Sequence, residues 1–253
     1  MRIKKFFSAL PGAQSRRNLR WWDIGILTVI LFGQPIMSSL GIFFASADVA
    51  GGAASTPTSA SDFTSHDNLR ALVQQALWLV IALVYLRVRN FDFRTLRFRP
   101  TWKGTAAGVG LFFAIGLLFD VSYWLFSAFT AAAAPEAPEA TDAAAAAGSP
   151  LAHIDPSLLV YSAFNGFYEE FFFLGLCLAV APRWRTAAFL YSLAVRVSFH
   201  TYQGLFSALF IGLAVGSIYY VVYRRVRGNN LYPLVFSHAL ADIFGASALA
   251  FLT

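Results

Sequence analysis

The sequence predicts an all-α fold, a polytopic transmembrane helical bundle of about seven spans with a cytoplasmic N-terminus. Two observations carry this prediction. Hydrophobic residues make up 58% of the 253 residues and charged residues only 13%, whereas soluble domains contain about 25% charged residues. The charges are also concentrated in short connections between long apolar stretches, which is the pattern of a chain that crosses a bilayer repeatedly.

Seven apolar stretches approach or exceed the roughly 20 residues that a helix needs to cross a bilayer. They lie at 22–46, 69–88, 104–131, 157–181, 185–201, 204–223 and 231–252. Two further segments, 46–68 and 132–150, are of low complexity and rich in Ala. We expect them to be flexible exterior loops, because such compositions bury too little apolar surface to offset the entropy of ordering.

Basic residues fall in every second connection. They occupy the N-terminus (Arg2 to Arg20), the 89–103 connection, Arg183 with Arg185, and Arg224 to Arg227, while the connections between these carry acidic residues and almost no Lys or Arg. The positive-inside rule therefore predicts a cytoplasmic N-terminus and, after seven spans, an exterior C-terminus. The net charge of +6 is spread over these loops, so we expect the lipid bilayer as a partner and no nucleic acid.

Two adjacent glutamates, Glu169 and Glu170, lie in the middle of the apolar stretch 157–181. An acidic side chain near the bilayer centre costs about 2.5–3.5 kcal/mol on insertion scales, and such residues are commonly functional. Two in succession are hard to explain structurally, because an inert structure would gain little from their desolvation. The pair is therefore the first candidate for a catalytic site.

Two later stretches each carry a polar pair four residues apart. Arg196 precedes His200 in one stretch, and His238 precedes Asp242 in another. Residues four apart share a helix face, and residues at membrane depth normally face a bundle interior and partner one another. The sequence therefore predicts one buried cluster, formed by Glu169, Glu170, Arg196, His200, His238 and Asp242.

These residue types are suited to hydrolysis. A glutamate can remove a proton from water as a general base, a histidine can position that water, and a His–Asp pair can stabilise an oxyanion. Asp242 would donate directly only if protonated, and would otherwise orient His238. Alternatively, Glu169, His200 and His238, with Asp242, could bind a divalent metal such as zinc. The spacing is not that of H-E-x-x-H, so no cofactor is certain.

In their order, three short motifs resemble those of a known family. They read Glu169-Glu-Phe-Phe-Phe-Leu174, Arg196-Val-Ser-Phe-His200 and His238-Ala-Leu-Ala-Asp242. They are similar to the E-E-x-x-x-R, F-x-x-x-H and H-x-x-x-N/D motifs of the CPBP (Abi) intramembrane proteases, bacterial relatives of the type II CAAX prenyl endopeptidase. The resemblance covers the C-terminal spans and implies a CPBP-like catalytic core at 155–253. The charge and hydropathy pattern predicts a basic cytoplasmic N-terminus (1–21) and N-terminal transmembrane helices with flexible exterior loops (22–154) before it.

The resemblance also implies a role for each matched residue. Glu169 corresponds to the general base and Glu170 to a supporting carboxylate. His200 would help to activate the water, and His238 with Asp242 would line the oxyanion side.

The chain departs from the family motifs at two positions. Leu174 stands where the first motif has arginine, and Arg196 stands where the second has phenylalanine. We therefore expect the positive charge to have moved between helices, so that Arg196 pairs with Glu170.

The function implied is an intramembrane endopeptidase, a hydrolase of the bacterial inner (plasma) membrane acting on a peptide or membrane-protein substrate that need not be prenylated. Two alternatives remain open. One is a non-proteolytic scaffold or immunity protein of the same family, which the missing motif arginine favours. The other is a proton-coupled transporter, because buried carboxylates and histidines also form proton relays.

Overall fold

The computed structural model describes residues 18–50, 64–133, 154–225 and 228–251. Most of the two expected exterior loops, 46–68 and 132–150, lies outside the described residues. Where they are described, these segments are helical, because the first helix extends to Ala50, the second begins at Ser65 and the third extends to Ala133.

Seven helices make up the bundle within the described ranges. They are α1 (Trp21–Ala50), α2 (Ser65–Val88), α3 (Trp102–Ala133), α4 (Pro156–Glu170, continued by a π-helix at Phe171–Leu176), α5 (Arg185–His200), α6 (Leu205–Leu209, a π-helix at Phe210–Val215, and Gly216–Arg225) and α7 (Tyr232–Phe244). Short 3-10 helices lie at Phe93–Thr95, Pro182–Trp184, Thr201–Gln203 and Leu249–Phe251.

The predicted all-α membrane bundle is confirmed. Among the described residues, four helices are long and apolar enough to cross a membrane: Trp21–Ala45, Ser65–Val88, Trp102–Thr130 and Leu205–Arg225. The protein is thus an integral membrane protein. Helices α5 and α7 are shorter, with 16 and 13 residues, and α4 has 15 residues before its π-helix begins.

Two apolar stretches end earlier as helices than the sequence predicted. In the stretch 157–181, helical structure ends at Leu176, ahead of the turn that leads to Pro182. In the stretch 231–252, α7 ends at Phe244 because Gly245 adopts a φ of 83°. That backbone conformation is accessible to glycine at little cost and commonly ends a helix.

An aromatic cluster packs α1 against α4 and α5. The ring of Phe32 in α1 lies 4.8 to 5.5 Å, between centroids, from the rings of Tyr168, Phe172, Phe173 and Phe199. Such pairs contribute about 0.5–1.5 kcal/mol each beyond the burial of area. Because three of these rings flank the two glutamates in sequence, burying them fixes the direction in which the glutamate side chains point.

Asp155 joins the beginnings of α2 and α4. Its Oδ1 accepts hydrogen bonds from the backbone N–H groups of Ser157 (2.6 Å) and Leu158 (3.0 Å), and its Oδ2 accepts one from Ser65 Oγ (2.8 Å). The hydrogen bonds from Ser157, Leu158 and Ser65 lower the pKa of Asp155 to about 2. Asp155 therefore caps α4 in its charged form and fixes where α4 starts relative to α2.

Helix α7 lies between α3 and α4 and touches α4 closely at Gly166. A Cβ atom on Gly166 would lie 2.9 Å from the carbonyl oxygen of Val235 and 3.3 Å from Cβ of His238. The missing side chain thus lets the α4 backbone contact the α7 backbone directly. This contact sets the spacing between the helix with the glutamates and the helix with His238.

We expect Gly166→Ala to destabilise the protein by about 1–3 kcal/mol, the usual range for overpacking of a filled interior. The measurement is thermal unfolding of the purified protein in detergent. Gly110→Ala in α3 is the matched control, since a Cβ atom there meets nothing within 4 Å and alanine favours a helix over glycine by about 1 kcal/mol. Equal stability of the two variants would contradict the close contact.

Candidate active site

Glu169 and Glu170 are the last two residues of α4, at the point where the helix changes to a π-helix. Both side chains are buried, with 4% and 0% of their surface exposed. The following residues, Phe171 to Leu176, are apolar and also buried. π-Helices are rare and often occur at functional sites. Two carboxylates therefore lie inside an apolar interior, where only neighbouring polar groups can stabilise their charge.

Arg196 forms a bidentate ion pair with Glu170. Its Nη1 donates to Glu170 Oε1 and its Nη2 to Glu170 Oε2, each at 3.0 Å, and both side chains are buried. The guanidinium carbon also lies 4.2 Å from the ring centroid of Phe173. Parallel N–H donors matched to a carboxylate are among the stronger hydrogen-bond arrangements in proteins, so α5 and α4 are firmly connected at this point.

The expected pairing of Arg196 with Glu170 is confirmed. Leu174, at the position of the motif arginine, is buried in an apolar cluster with residues of α6 and α7. Arg196 approaches Glu170 from α5 instead, past Gly216 of α6, where a Cβ atom would lie 3.6 Å from Arg196 Cδ. A guanidinium is thus paired with Glu170 although the first motif has lost its arginine.

Glu169 is bonded very differently from Glu170. Its Oε1 accepts a hydrogen bond from Asn165 Nδ2 at 3.2 Å. Its Oε2 is buried and has no hydrogen-bond partner in the part of the chain that the structure describes. This oxygen lies 3.7 Å from Nε2 of His238. Within the described residues this oxygen accepts no hydrogen bond, so it can accept one from another molecule.

His238 is surrounded by three carboxylates. Its Nδ1 donates to Glu170 Oε1 at 2.8 Å. Its Nε2 lies 3.7 Å from Glu169 Oε2 and 3.6 Å from Asp242 Oδ1. The hydrogen bond to Glu170 fixes the orientation of the imidazole ring, and Nε2 consequently points to the space between Glu169 and Asp242. A proton on Nε2 would be held there by two negative groups.

Asn165 is a site residue that our sequence analysis missed. Its Nδ2 donates to Glu169 Oε1 at 3.2 Å and to Asp242 Oδ2 at 2.8 Å, and its Oδ1 accepts from Gln75 Nε2 at 2.7 Å. One side chain thereby joins α2, α4 and α7. The signal was present, because Asn165 lies four residues before Glu169 in an apolar stretch and so on the same helix face.

His200 is the last residue of α5 and is buried. Its Nδ1 donates to the backbone carbonyl of Arg196 at 2.8 Å. The next turn is anchored to α1, since Ser39 Oγ lies 2.9 Å from Thr201 Oγ1 and accepts from the N–H of Tyr202 at 2.9 Å. Among the described residues, His200 makes no direct hydrogen bond to either glutamate. Five of the six predicted residues therefore lie in direct contact. His200 is connected to them by its hydrogen bond to the backbone carbonyl of Arg196.

The residues were also tested against the metal alternative. Within the described ranges, no three His, Cys, Asp or Glu side chains are arranged to hold a metal ion. The two histidines each use Nδ1 within the protein, His238 on Glu170 and His200 on a backbone carbonyl, which leaves Nε2 of each ring as the nitrogen that could bind a metal. It is their arrangement within the described residues, and not these hydrogen bonds, that gives Glu169, His200 and His238 no preformed zinc site.

A comparison with protein families finds a match in the C-terminal part of the chain. Residues 153–244 match the model of the type II CAAX prenyl endopeptidase Rce1-like family, a span that contains α4 to α7 and all six predicted residues. The resemblance inferred from the motifs is confirmed, and it points to CAAX-type intramembrane protease activity in general. Neither a curated protein nor a solved structure matches the chain.

We expect Asn165→Leu to destabilise the protein by about 1–3 kcal/mol, because it leaves buried oxygens of Glu169 and Asp242 without their donor. Thermal unfolding in detergent measures this. Ser162→Ala is the control one turn earlier in α4, since Ser162 Oγ is buried and has no hydrogen-bond partner among the described residues. We expect that control to unfold within about 0.5 kcal/mol of the wild type. A loss as large as that of Asn165→Leu would contradict the role given to the bridge.

Proposed function

We propose that this membrane protein, whose residues 153–244 are Rce1-like, is an intramembrane endopeptidase that hydrolyses peptide bonds with a glutamate-activated water. One observation carries the proposal, the unequal bonding of the two adjacent glutamates. Both oxygens of Glu170 are hydrogen-bonded to Arg196 or His238, whereas Oε2 of Glu169 is buried, accepts no hydrogen bond within the described residues and lies 3.7 Å from His238 Nε2. A general base needs an oxygen that can take a proton, and Glu169 has one.

In the proposed reaction, Glu169 Oε2 removes a proton from water while the water oxygen bonds to the carbonyl carbon of the substrate. The carbonyl π electrons move to oxygen and give a tetrahedral oxyanion. When that oxyanion collapses, the C–N bond breaks, and Glu169 returns the proton to the leaving amine. The base is thereby regenerated, and the products are a carboxylic acid and an amine.

His238 is suited to stabilise the oxyanion. In its protonated form it donates through Nε2, which lies 3.7 Å from Glu169 Oε2 and so beside the proposed position of the water. Asp242 acts on His238 and not on the substrate, because it already accepts a hydrogen bond from Asn165 and lies 3.6 Å from His238 Nε2. Preorganised donors of this kind contribute about 2.7–4 kcal/mol to a transition state.

His200 is proposed to assist the water from the side of α5. Its Nδ1 is engaged with the Arg196 carbonyl, which leaves Nε2 of the neutral ring as an acceptor for a water proton. The Arg196–Glu170 ion pair holds α5 and His238 in place. Neither residue of the pair takes part in proton transfer. Arg196 also supplies the positive charge that the first motif lacks at Leu174. The missing motif arginine was the reason to consider a non-proteolytic scaffold.

The same proposal includes the class of substrate and the membrane in which the protein lies. The substrate is a peptide or a membrane-associated protein that reaches Glu169 within the bilayer, and a prenyl group is not required. We propose the bacterial inner membrane as the location, with the basic connections in the cytoplasm, because Lys and Arg near membrane spans are retained on that side.

We expect Glu169→Gln to lower peptide cleavage by about 10²–10⁴-fold, the usual contribution of a general base, without lowering the unfolding temperature. The assay incubates the purified protein in detergent with a quenched-fluorescence peptide library and identifies the products by mass spectrometry. Asp67→Asn, at an exposed position of α2, is the control and should cleave like the wild type.

Two outcomes would contradict the proposal, one in the cleavage assay and one in a proton-flux measurement on vesicles that contain the protein. Cleavage by Glu169→Gln at the wild-type rate would exclude Glu169 as the base. If the wild type cleaves no peptide and no membrane-protein substrate, but Glu169→Gln abolishes proton flux in vesicles, the transporter alternative is supported instead.

We expect Arg196→Leu to destabilise the protein by about 3–5 kcal/mol and to abolish cleavage, because Glu170 becomes a buried charge without its partner. Adding Leu174→Arg should restore part of both properties, since position 174 lies one turn beyond Glu170. Unfolding temperature and cleavage are measured for the single and double variants. Full stability and activity of Arg196→Leu alone would show that the ion pair is dispensable.

A further inference from the structure

A cavity lined by three basic residues lies at the start of α3, apart from the glutamate site. Its volume is about 320 Å³, and Arg97, Arg99 and Lys103 line it together with Thr101, Gly228 and Asn230. None of its lining residues is acidic. In the part of the chain that the structure describes, none of the three basic side chains forms an ion pair with a carboxylate. The cavity therefore concentrates positive charge that the protein itself does not neutralise.

The backbone around this cavity is held by hydrogen bonds between two connections. Asn230 Oδ1 accepts from the N–H of Arg99 and Asn230 Nδ2 donates to the carbonyl of Arg99, both at 2.8 Å. The carbonyl of Arg97 accepts from the N–H of Leu231 at 2.9 Å. These hydrogen bonds join the connection before α3 to the connection before α7. The backbone of Arg97 and Arg99 is therefore held in place.

Gly228 also shapes the cavity. It adopts a φ of 76°, and a Cβ atom at this position would lie 2.6 Å from Nη1 of Arg97. The positive φ favours glycine at this position, and the missing side chain leaves room for the Arg97 guanidinium. The Arg97 side chain rests against this glycine, which places its charge at the cavity before any ligand arrives.

The surroundings of the cavity indicate the class of ligand. Trp102 and Phe98 are exposed beside it, and exposed aromatic residues next to a membrane span are typical of the bilayer interface. From there, exposed Val109, Phe113 and Leu117 follow at four-residue spacing on α3 and so form one apolar stripe. A ligand with an anionic head and an apolar tail would contact both the cavity and the stripe.

We propose that this cavity binds the phosphate group of an anionic phospholipid in the cytoplasmic leaflet, with the acyl chains along the exposed stripe of α3. Arginine guanidinium groups match phosphate oxygens in a bidentate manner. Basic pockets between transmembrane helices on the cytoplasmic side are suited to anionic headgroups, and about 320 Å³ lies within the usual range for ligand pockets, about 300–1,000 Å³. The proposal concerns lipid binding and does not depend on peptide cleavage.

The test measures binding of short-chain phosphatidylglycerol to the full-length protein in neutral detergent by isothermal titration calorimetry. The variant combines Arg97→Gln, Arg99→Gln and Lys103→Gln. The control combines Arg94→Gln, Arg183→Gln and Arg225→Gln, which removes the same charge from exposed residues that do not line the cavity. Unfolding temperatures of both proteins are measured alongside.

We expect the cavity variant to bind phosphatidylglycerol at least about tenfold more weakly than the wild type, and the control to remain within about twofold. Phosphatidylcholine of the same chain length should bind weakly to all three proteins. An equal loss in the control would overturn the proposal, because general surface charge would then explain the binding. Competition by inorganic phosphate or glycerol 3-phosphate at the same concentration as the lipid would also overturn it, in favour of a soluble phosphate ligand.

Discussion

The buried ion pair between Arg196 and Glu170 is the interaction on which the rest of the site depends. Two adjacent carboxylates in an apolar interior repel each other and lack water, so at least one needs a permanent positive partner. Arg196 provides it with two hydrogen bonds of 3.0 Å. Arg196 compensates the charge of Glu170 in this way. Glu170 can therefore also accept the 2.8 Å hydrogen bond from His238 without leaving an uncompensated buried charge.

The polar groups of the site also connect the helices of the bundle. Glu170 joins α4 to α5 and α7, while Asn165 joins α4 to α2 and α7. Apolar contacts within a membrane supply no hydrophobic driving force beyond that offered by lipid, so packing and hydrogen bonds between helices determine how they associate. Helices α4, α5 and α7 are therefore held together by polar groups that lie next to the proposed base Glu169 and that fix the positions of Glu169 and His238.

Much of this arrangement could be predicted from the sequence. The composition and the apolar stretches indicated the helical bundle, and residues four apart in α5 and α7 indicated which faces would meet. The departures at Leu174 and Arg196 predicted the ion pair, because a buried carboxylate pair requires a cation. Spacing places Asn165 on the same face as Glu169, but its bonds to Gln75 and Asp242 depend on how the helices pack, which the sequence does not reveal. The end of α7 was not predicted either, because it depends on the conformation of Gly245.

The position of the guanidinium has a consequence for how such proteins diverge. An arginine at position 174 or at position 196 can approach the same carboxylate. If one arginine replaces the other by single substitutions, there is an intermediate sequence with neither arginine or with both. If the original arginine is lost first, that intermediate carries an uncompensated anion, whereas gaining the second arginine first gives an intermediate with one cation in excess. The second order keeps Glu170 paired throughout, but it buries one guanidinium without a carboxylate of its own. A motif pattern that requires the arginine at the position of Leu174 would miss a chain that supplies it from the position of Arg196, as this one does.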